Sequence, residues 1–154
     1  MRILSMLVLL LAANLNLTYF SWFAPTPQEL SESRLHEVHN IYVGNMGDDD
    51  EADRFRLLLE EQVAKRGFAV VDSPEKADAI LTGALSVRVH RNSSTARVYV
   101  TLATPKGQRL WGRDFGSKMT NIFSLNEPVK LRAQDVANGL KQDWDKSAKL
   151  VPKK

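Results

Sequence analysis

Hydrophobic and polar residues alternate in the middle of the chain, and this alternation predicts neighbouring β-strands. From Ala79 to Val89 the odd positions are apolar or glycine, whereas the even positions include threonine, serine and arginine. The parity reverses in the next segment, where Ala96, Val98 and Leu102 are apolar. Because side chains alternate between the two faces of a strand, each segment is expected to bury one face and expose the other.

Two turn sequences divide this region into a meander of three antiparallel strands. Asn92-Ser93-Ser94 predicts the first hairpin loop, and Pro105-Lys106-Gly107 predicts a three-residue second loop with its glycine in the left-handed region. The third strand is expected from Arg109 to Phe115. Two shorter apolar runs, Val38–Val43 and Phe68–Val71, predict further strands upstream.

Two segments have the three- and four-residue spacing of amphipathic helices. The first opens with Asp48-Asp49-Asp50-Glu51, whose carboxylates suit the positive end of a helix, and it closes at Lys65-Arg66-Gly67. The second begins near Glu127-Pro128. The expected buried stripes are Ala52, Phe55, Leu58, Leu59, Gln62 and Val63 in the first helix, and Val129, Ala133, Val136, Ala137, Leu140 and Trp144 in the second.

The element order β-α-β-β-β-β-α predicts an α/β two-layer sandwich. In such a fold both helices cover one face of a five-stranded mixed sheet. The first strand, the first helix and the second strand form a right-handed crossover with parallel strands. The other face of the sheet is expected to be open to solvent.

An apolar amino-terminal segment predicts export. Arg2 precedes an unbroken run of apolar or small residues from Ile3 to Ala13, which is the pattern of a secretory signal. Residues 1–24 are therefore interpreted as a signal peptide or, because the small residues form no convincing cleavage site, as an uncleaved signal anchor. A span of about 20 residues is enough to cross a bilayer. A buried helix of the domain is a third alternative.

Composition changes along the chain predict the domain boundaries. Residues 25–36 contain proline, serine and glutamate and are expected to form a tether. Residues 37–150 are expected to form one α/β domain, and residues 151–154 a frayed tail. The predicted location is the periplasm, or the membrane-associated part of the envelope.

The composition also excludes several classes of functional site. The 154 residues include no cysteine, which excludes disulfides, thiol nucleophiles, zinc–thiolate sites and a lipid-modified cysteine. The formal net charge of +3 is too small for a strongly polybasic protein, and export argues against nucleic acid as a partner. No cofactor is expected, because the glycines form no phosphate-binding loop.

Short motifs resemble those of bacterial envelope lipoproteins. Gly67 to Gly83, Ile41-Tyr42-Val43-Gly44-Asn45 before a helix, and Arg109-Leu110-Trp111 are similar to patterns in three families. These are the curli-secretion lipoproteins, the penicillin-binding-protein activator lipoproteins and the lipopolysaccharide-assembly lipoproteins of the outer membrane. The resemblance, over residues 38–144, implies an envelope scaffold or adaptor and not an enzyme. The chain departs from these families because it lacks their lipid-modified cysteine.

Candidate catalytic and metal-binding groups are sparse. His36 and His39 stand three residues apart, and Asp48 to Asp53 supply carboxylates, but neither set has the full ligand pattern of a zinc or calcium site. Ser86 and His90 share the polar face of one strand without a nucleophile elbow. We therefore expect no catalytic residue and no metal site. A small periplasmic hydrolase with an unrecognised site is the alternative.

The strongest candidate for a binding site is a basic and aromatic face of the meander. Between Ala84 and Lys118, seven cations and one acidic residue, Asp114, give a local charge of +6. The predicted loops place His90 opposite Arg97, Arg88 opposite Tyr99, and Trp111 opposite Thr101. A two-residue second loop would instead turn Trp111 into the core. The expected surface consists of Arg88, His90, Arg97, Tyr99, Trp111 and Arg113.

The sequence thus predicts a non-catalytic, exported binding or assembly module of the bacterial cell envelope. Arginine, tyrosine and tryptophan are enriched at binding hot spots, so this face is expected to dock an envelope protein or an anionic glycan or lipid surface. An ordinary solvated sheet face is the alternative. The amino-terminal segment provides a route to membrane anchoring, and the oligomeric state is left open.

Overall fold

Two helices pack on one face of a five-stranded mixed sheet, as the sequence predicts. The computed structural model describes residues 34–91, 93–121 and 127–150. The spatial strand order is β2-β1-β3-β4-β5, in which β1 is parallel to β2 and β3 while the other pairs are antiparallel. The elements along the chain are β1 (Asn40–Val43), α1 (Asp50–Lys65), β2 (Ala69–Val70), β3 (Ala79–His90), β4 (Ser93–Ala103), β5 (Arg109–Asn121) and α2 (Glu127–Lys149).

Helix α1 begins and ends at the predicted signals. The Asp49 carboxylate accepts a hydrogen bond from the Ala52 N–H at 2.7 Å, which caps the first turn. Gly67, just beyond the helix, has a φ of +91°, in the left-handed region that glycine enters without strain. Helix capping therefore accounts for Asp49 within the acidic run. Asp50, Glu51 and Asp53 lie in the first turn, at the positive end of the helix dipole.

The core lies between the two helices and the sheet. The apolar stripes of both helices pack against the even positions of β4, as predicted, with Leu58 and Trp144 only partly buried. At the odd positions of β3, Ala79 and Leu81 are buried as predicted, whereas Val89 is 65% exposed. Leu35, in a short 3-10 turn at Leu35–Glu37, is also buried in this core. The largest fully buried side chains include Phe55, Leu59 and Val63 of α1, Val98, Val100 and Leu102 of β4, and Val129 and Leu140 of α2.

Polar side chains of α2 hold it against the sheet. Arg132 is buried, and its Nε donates a hydrogen bond to the Ala96 carbonyl at 3.0 Å. The register between β4 and β5 shifts between Ala96 and Val98, so Arg132 satisfies a carbonyl next to an irregularity in the ladder. The Trp144 indole N–H donates to the Val38 carbonyl at 2.9 Å, which joins α2 to the chain just before β1.

The predicted signal segment and most of the predicted tether lie outside the described residues, as does the predicted tail. Within the described ranges, neither helix is long and apolar enough to cross a bilayer.

Candidate docking surface

The β3–β4 hairpin is tighter than the sequence predicted, but it preserves the predicted faces. His90 pairs with Ser93, which leaves a two-residue loop. Arg97 consequently lies opposite Ser86 and not opposite His90. Each residue of β3 therefore lies opposite a β4 residue four positions earlier than predicted. Because four is an even number, no side chain changes face. The predicted residues that share the open face are Arg88, His90, Arg97 and Tyr99.

The loop between β4 and β5 has the predicted length. Thr104 donates its N–H to the Gln108 carbonyl at 2.8 Å, and Gly107 has a φ of +85°. Three residues, Pro105-Lys106-Gly107, therefore connect the strands, and the glycine occupies the predicted left-handed position.

A β-bulge at Leu110 then moves Trp111 to the helix-covered face. Ala103 pairs with Arg109, whereas Leu102 pairs with Trp111, so Leu110 is the extra residue. Leu110 is 4% exposed and Trp111 is 7% exposed, and both belong to the core. The prediction that Trp111 lies on the open face is wrong, because the bulge shifts the alternation by one residue.

Arg113 lies on the same side as Trp111, which corrects its predicted position as well. Arg113 pairs with Val100 of β4 and donates a hydrogen bond to the Asp143 carboxylate of α2 at 2.8 Å. Its guanidinium also lies 5.9 Å from the centre of the Phe115 ring. Trp111 and Arg113 therefore join β5 to α2, and they are separated from the four residues on the open face.

An ion pair between Arg97 and Asp114 occupies the centre of the open face. The Asp114 carboxylate accepts hydrogen bonds from the Arg97 guanidinium, one of them from Nε at 3.1 Å. This hydrogen bond lowers the pKa of Asp114 and raises that of Arg97, so both groups are charged at neutral pH. Tyr99 pairs with Asp114 across the strands, and its side chain is 44% exposed. The sequence showed both charges, but only the strand register showed that they pair.

Gly112 provides the space in which the Arg109 side chain lies on this face. A Cβ placed on Gly112 would collide with the Arg109 guanidinium. The φ of Gly112 is not positive, so the backbone itself does not require glycine there. Gly112 pairs with Thr101, whose side chain is on the open face, so the guanidinium also lies on the open side of the sheet. The alternation of polar and apolar residues did not place Arg109 in the site. The glycine in the interior of the strand was the available signal.

The candidate metal and catalytic groups do not assemble into a site. In the described part of the chain, no group of three or more histidine, aspartate or glutamate side chains is arranged to hold a metal ion. The His39 ring stands edge-on to Trp144 at 5.9 Å between ring centres. Ser86 and His90 are four residues apart on β3, or about 13 Å at the usual strand rise, too far apart for a nucleophile–base hydrogen bond.

Comparison with known proteins identifies the fold. No protein-family model and no curated protein sequence matches the chain. A variant PelC dodecamer from Paraburkholderia phytofirmans is similar with a TM-score of 0.57 and 15% identity, over 67% of this chain and 87% of that chain. A second PelC dodecamer from the same organism gives a TM-score of 0.51 and 12% identity, over 68% and 87%. Lipoprotein GNA1162 from Neisseria meningitidis gives 0.46 and 14%, over 67% and 98%. What is shared with the PelC structures is the α/β sandwich fold.

Proposed function

We propose that the chain is a non-catalytic binding or assembly module of the bacterial cell envelope, and that its partner docks on the open face of the sheet. One observation carries this proposal. Tyr99 is half-exposed beside the Arg97–Asp114 ion pair, on a face of β3, β4 and β5 that is not covered by either described helix.

The chemistry of these side chains suits binding. Tyrosine offers a large rigid contact area together with a hydroxyl group, and arginine offers a planar set of donors. The ion pair orients the Arg97 guanidinium before a partner arrives, which reduces the entropy lost on binding. All three side chains project from strands, and strands hold side chains more rigidly than loops do.

The alternative, a small periplasmic hydrolase, has less support. Nucleophilic hydrolysis requires a base within hydrogen-bond reach of the nucleophile. The separation of Ser86 and His90 along β3 does not provide that arrangement.

The envelope location rests on the apolar run after Arg2 and on the resemblance to envelope lipoproteins. Both PelC structures are dodecamers, so a second copy of the chain is one partner that an experiment must be able to detect.

Photo-crosslinking in bacterial cells tests the docking face. A photoreactive phenylalanine analogue replaces Tyr99 in one variant and Leu57 in the control; Leu57 lies on α1 and is 57% exposed. We expect a discrete adduct from position 99 and none from position 57. Arg88→Glu should weaken the adduct without changing the thermal midpoint, because Arg88 is exposed. The same adducts from both positions, or none from position 99, would overturn the proposal.

A further inference from the structure

We infer that the partner on this face is an anionic glycan, a chain of sugars that carry carboxylates, lying along β4. This inference rests on the proposed function, because it names the partner of the same open face. Four features carry it: the distribution of charge, the spacing of the arginines, the side chains between the arginines, and the space that Gly112 provides.

The charge of the face is positive on both sides of a neutral centre. Asp114 is the single acidic residue in the sequences of β3, β4 and β5, and it is paired with Arg97. Arg88 lies towards the hairpin end of the face and Arg109 towards the opposite end. In the residues that the structure describes, Arg88 takes part in no ion pair. A ligand with several negative charges along its length complements this arrangement.

The spacing of the arginines favours an extended ligand over a compact one. Arg88 pairs with Thr95, and the Arg109 guanidinium lies over Gly112, which pairs with Thr101. Thr95 and Thr101 are six residues apart on β4, which corresponds to about 20 Å along the strand. A single phosphate cannot reach both guanidinium groups, whereas a linear polymer can.

The side chains between the arginines favour a glycan over a membrane. The half-exposed Tyr99 ring stands near the middle, where a sugar ring can stack. Apart from Arg97 and Asp114, its neighbours on the open face are small or hydroxylated, so an extended chain can approach the strands and form hydrogen bonds. Large apolar side chains beside the cations strengthen binding to a membrane surface. The neighbours are Thr82, Ala84, Ser86 and Thr101.

The glycine at position 112 indicates that the sequence of β5 accommodates the Arg109 guanidinium on the open face. Glycine in a strand interior weakens the strand, and here the backbone does not need it. Its missing Cβ allows the Arg109 guanidinium to lie along the face. A guanidinium has five N–H donors in a planar arrangement that suits a carboxylate.

Titration of the full chain with oligogalacturonate, in a non-ionic detergent, tests the inference. The methyl ester of the same oligosaccharide is the matched neutral ligand. We expect saturable binding of the acid that weakens at high salt, and no binding of the ester. Arg88→Gln should weaken binding about tenfold, because it removes a charge-assisted contact.

Substitutions at two glycines test the position of the Arg109 guanidinium without changing the charge of the protein. Gly112→Ala should weaken binding about tenfold by displacing the guanidinium, with no change in charge. Gly116→Ala is the matched control, because a Cβ there meets nothing within 4 Å. Lys106→Gln, in the loop before β5, controls for the loss of a cation elsewhere. Both controls should bind within about twofold of the wild type.

Three results would overturn the inference. They are the absence of saturable binding to oligogalacturonate, equal losses for Lys106→Gln and Arg88→Gln, and binding of anionic phospholipid vesicles that depends on Arg88 while the glycan does not bind. The crosslinking experiment distinguishes an incorrect partner class from an incorrect docking face. A protein adduct at position 99, without glycan binding, would retain the docking face and reject the glycan.

Discussion

Asp143 of α2 accepts a hydrogen bond from the indole N–H of Trp111 on β5, at 3.0 Å. The same carboxylate accepts hydrogen bonds from Arg113 at 2.8 Å and from Lys146 at 3.1 Å. One side chain of the second helix thereby holds the edge strand of the sheet. This contact also accounts for the position of Trp111 away from the open face.

Acidification should weaken this contact. Burial by itself raises the pKa of Asp143, but the hydrogen bonds from Trp111 and Lys146 and the nearby charges of Arg113 and Lys146 lower it below its ordinary value. A carboxyl group with a lowered pKa stabilises the folded state above its unfolded pKa of about 3.9. That stabilisation is lost as the pH falls through the folded pKa.

We therefore expect Asp143→Asn to lower the free energy of unfolding by about 1–3 kcal/mol at neutral pH and by less at low pH. Urea unfolding at neutral pH and near pH 3 measures both quantities. Asp145→Asn is the control, because Asp145 pairs with Lys141 at the surface. An equal loss of stability at both pH values for Asp143→Asn would contradict the assignment.

Two leucines of α1 test the burial of its inner face. Leu59 is fully buried, so Leu59→Ala should lower the free energy of unfolding by about 2–5 kcal/mol. Leu57 is 57% exposed, so Leu57→Ala should change it by no more than about 0.5 kcal/mol. Urea denaturation measures both, and similar losses would show that the helix is rotated.

Two glycines in the sheet should respond differently to an added methyl group. A Cβ on Gly83 would collide with the Tyr99 carbonyl oxygen and lie 3.2 Å from the Met46 sulfur. We expect Gly83→Ala to destabilise the fold by about 1–3 kcal/mol, as overpacking does. Gly116→Ala should be within about 0.5 kcal/mol of the wild type, because space is open there. Thermal unfolding of both variants checks this, and a neutral Gly83→Ala would contradict the close packing.

Export can be tested with a reporter that matures only outside the cytoplasm. Alkaline phosphatase fused after Lys154 should be active in cells, because the apolar run from Ile3 to Ala13 is predicted to direct the chain across the inner membrane. Leu9→Arg, which places a charge in that run, should abolish the activity. If the wild-type fusion is stable but inactive in the cytoplasm, the envelope location is wrong. Nucleic acid would then again be a candidate partner.

Most of the secondary structure could be predicted because each element has a strong local signal. Alternation predicted β3 and β4, and helical spacing predicted the buried residues of α1 and α2. The bounds of two strands were predicted less well: β5 continues beyond its predicted end at Phe115 to Asn121. β2 is shorter than predicted, since it spans only Ala69–Val70. In the described sheet, β2 lies at the edge and pairs with β1 alone, so tertiary contacts set its length.

The sequence by itself determined that Arg88, His90, Arg97 and Tyr99 share one face. Strand side chains have a period of two, so the four-residue difference in the β3–β4 pairing left every side chain on its predicted face. Only the tertiary structure decided the positions of Trp111 and Arg113. Leu110 and Trp111 are adjacent apolar residues, and strict alternation would leave one of them in solvent. The bulge at Leu110 buries both beneath α2, where Asp143 accepts the indole N–H, and no local pattern could predict it because that acceptor lies 32 residues further along the chain.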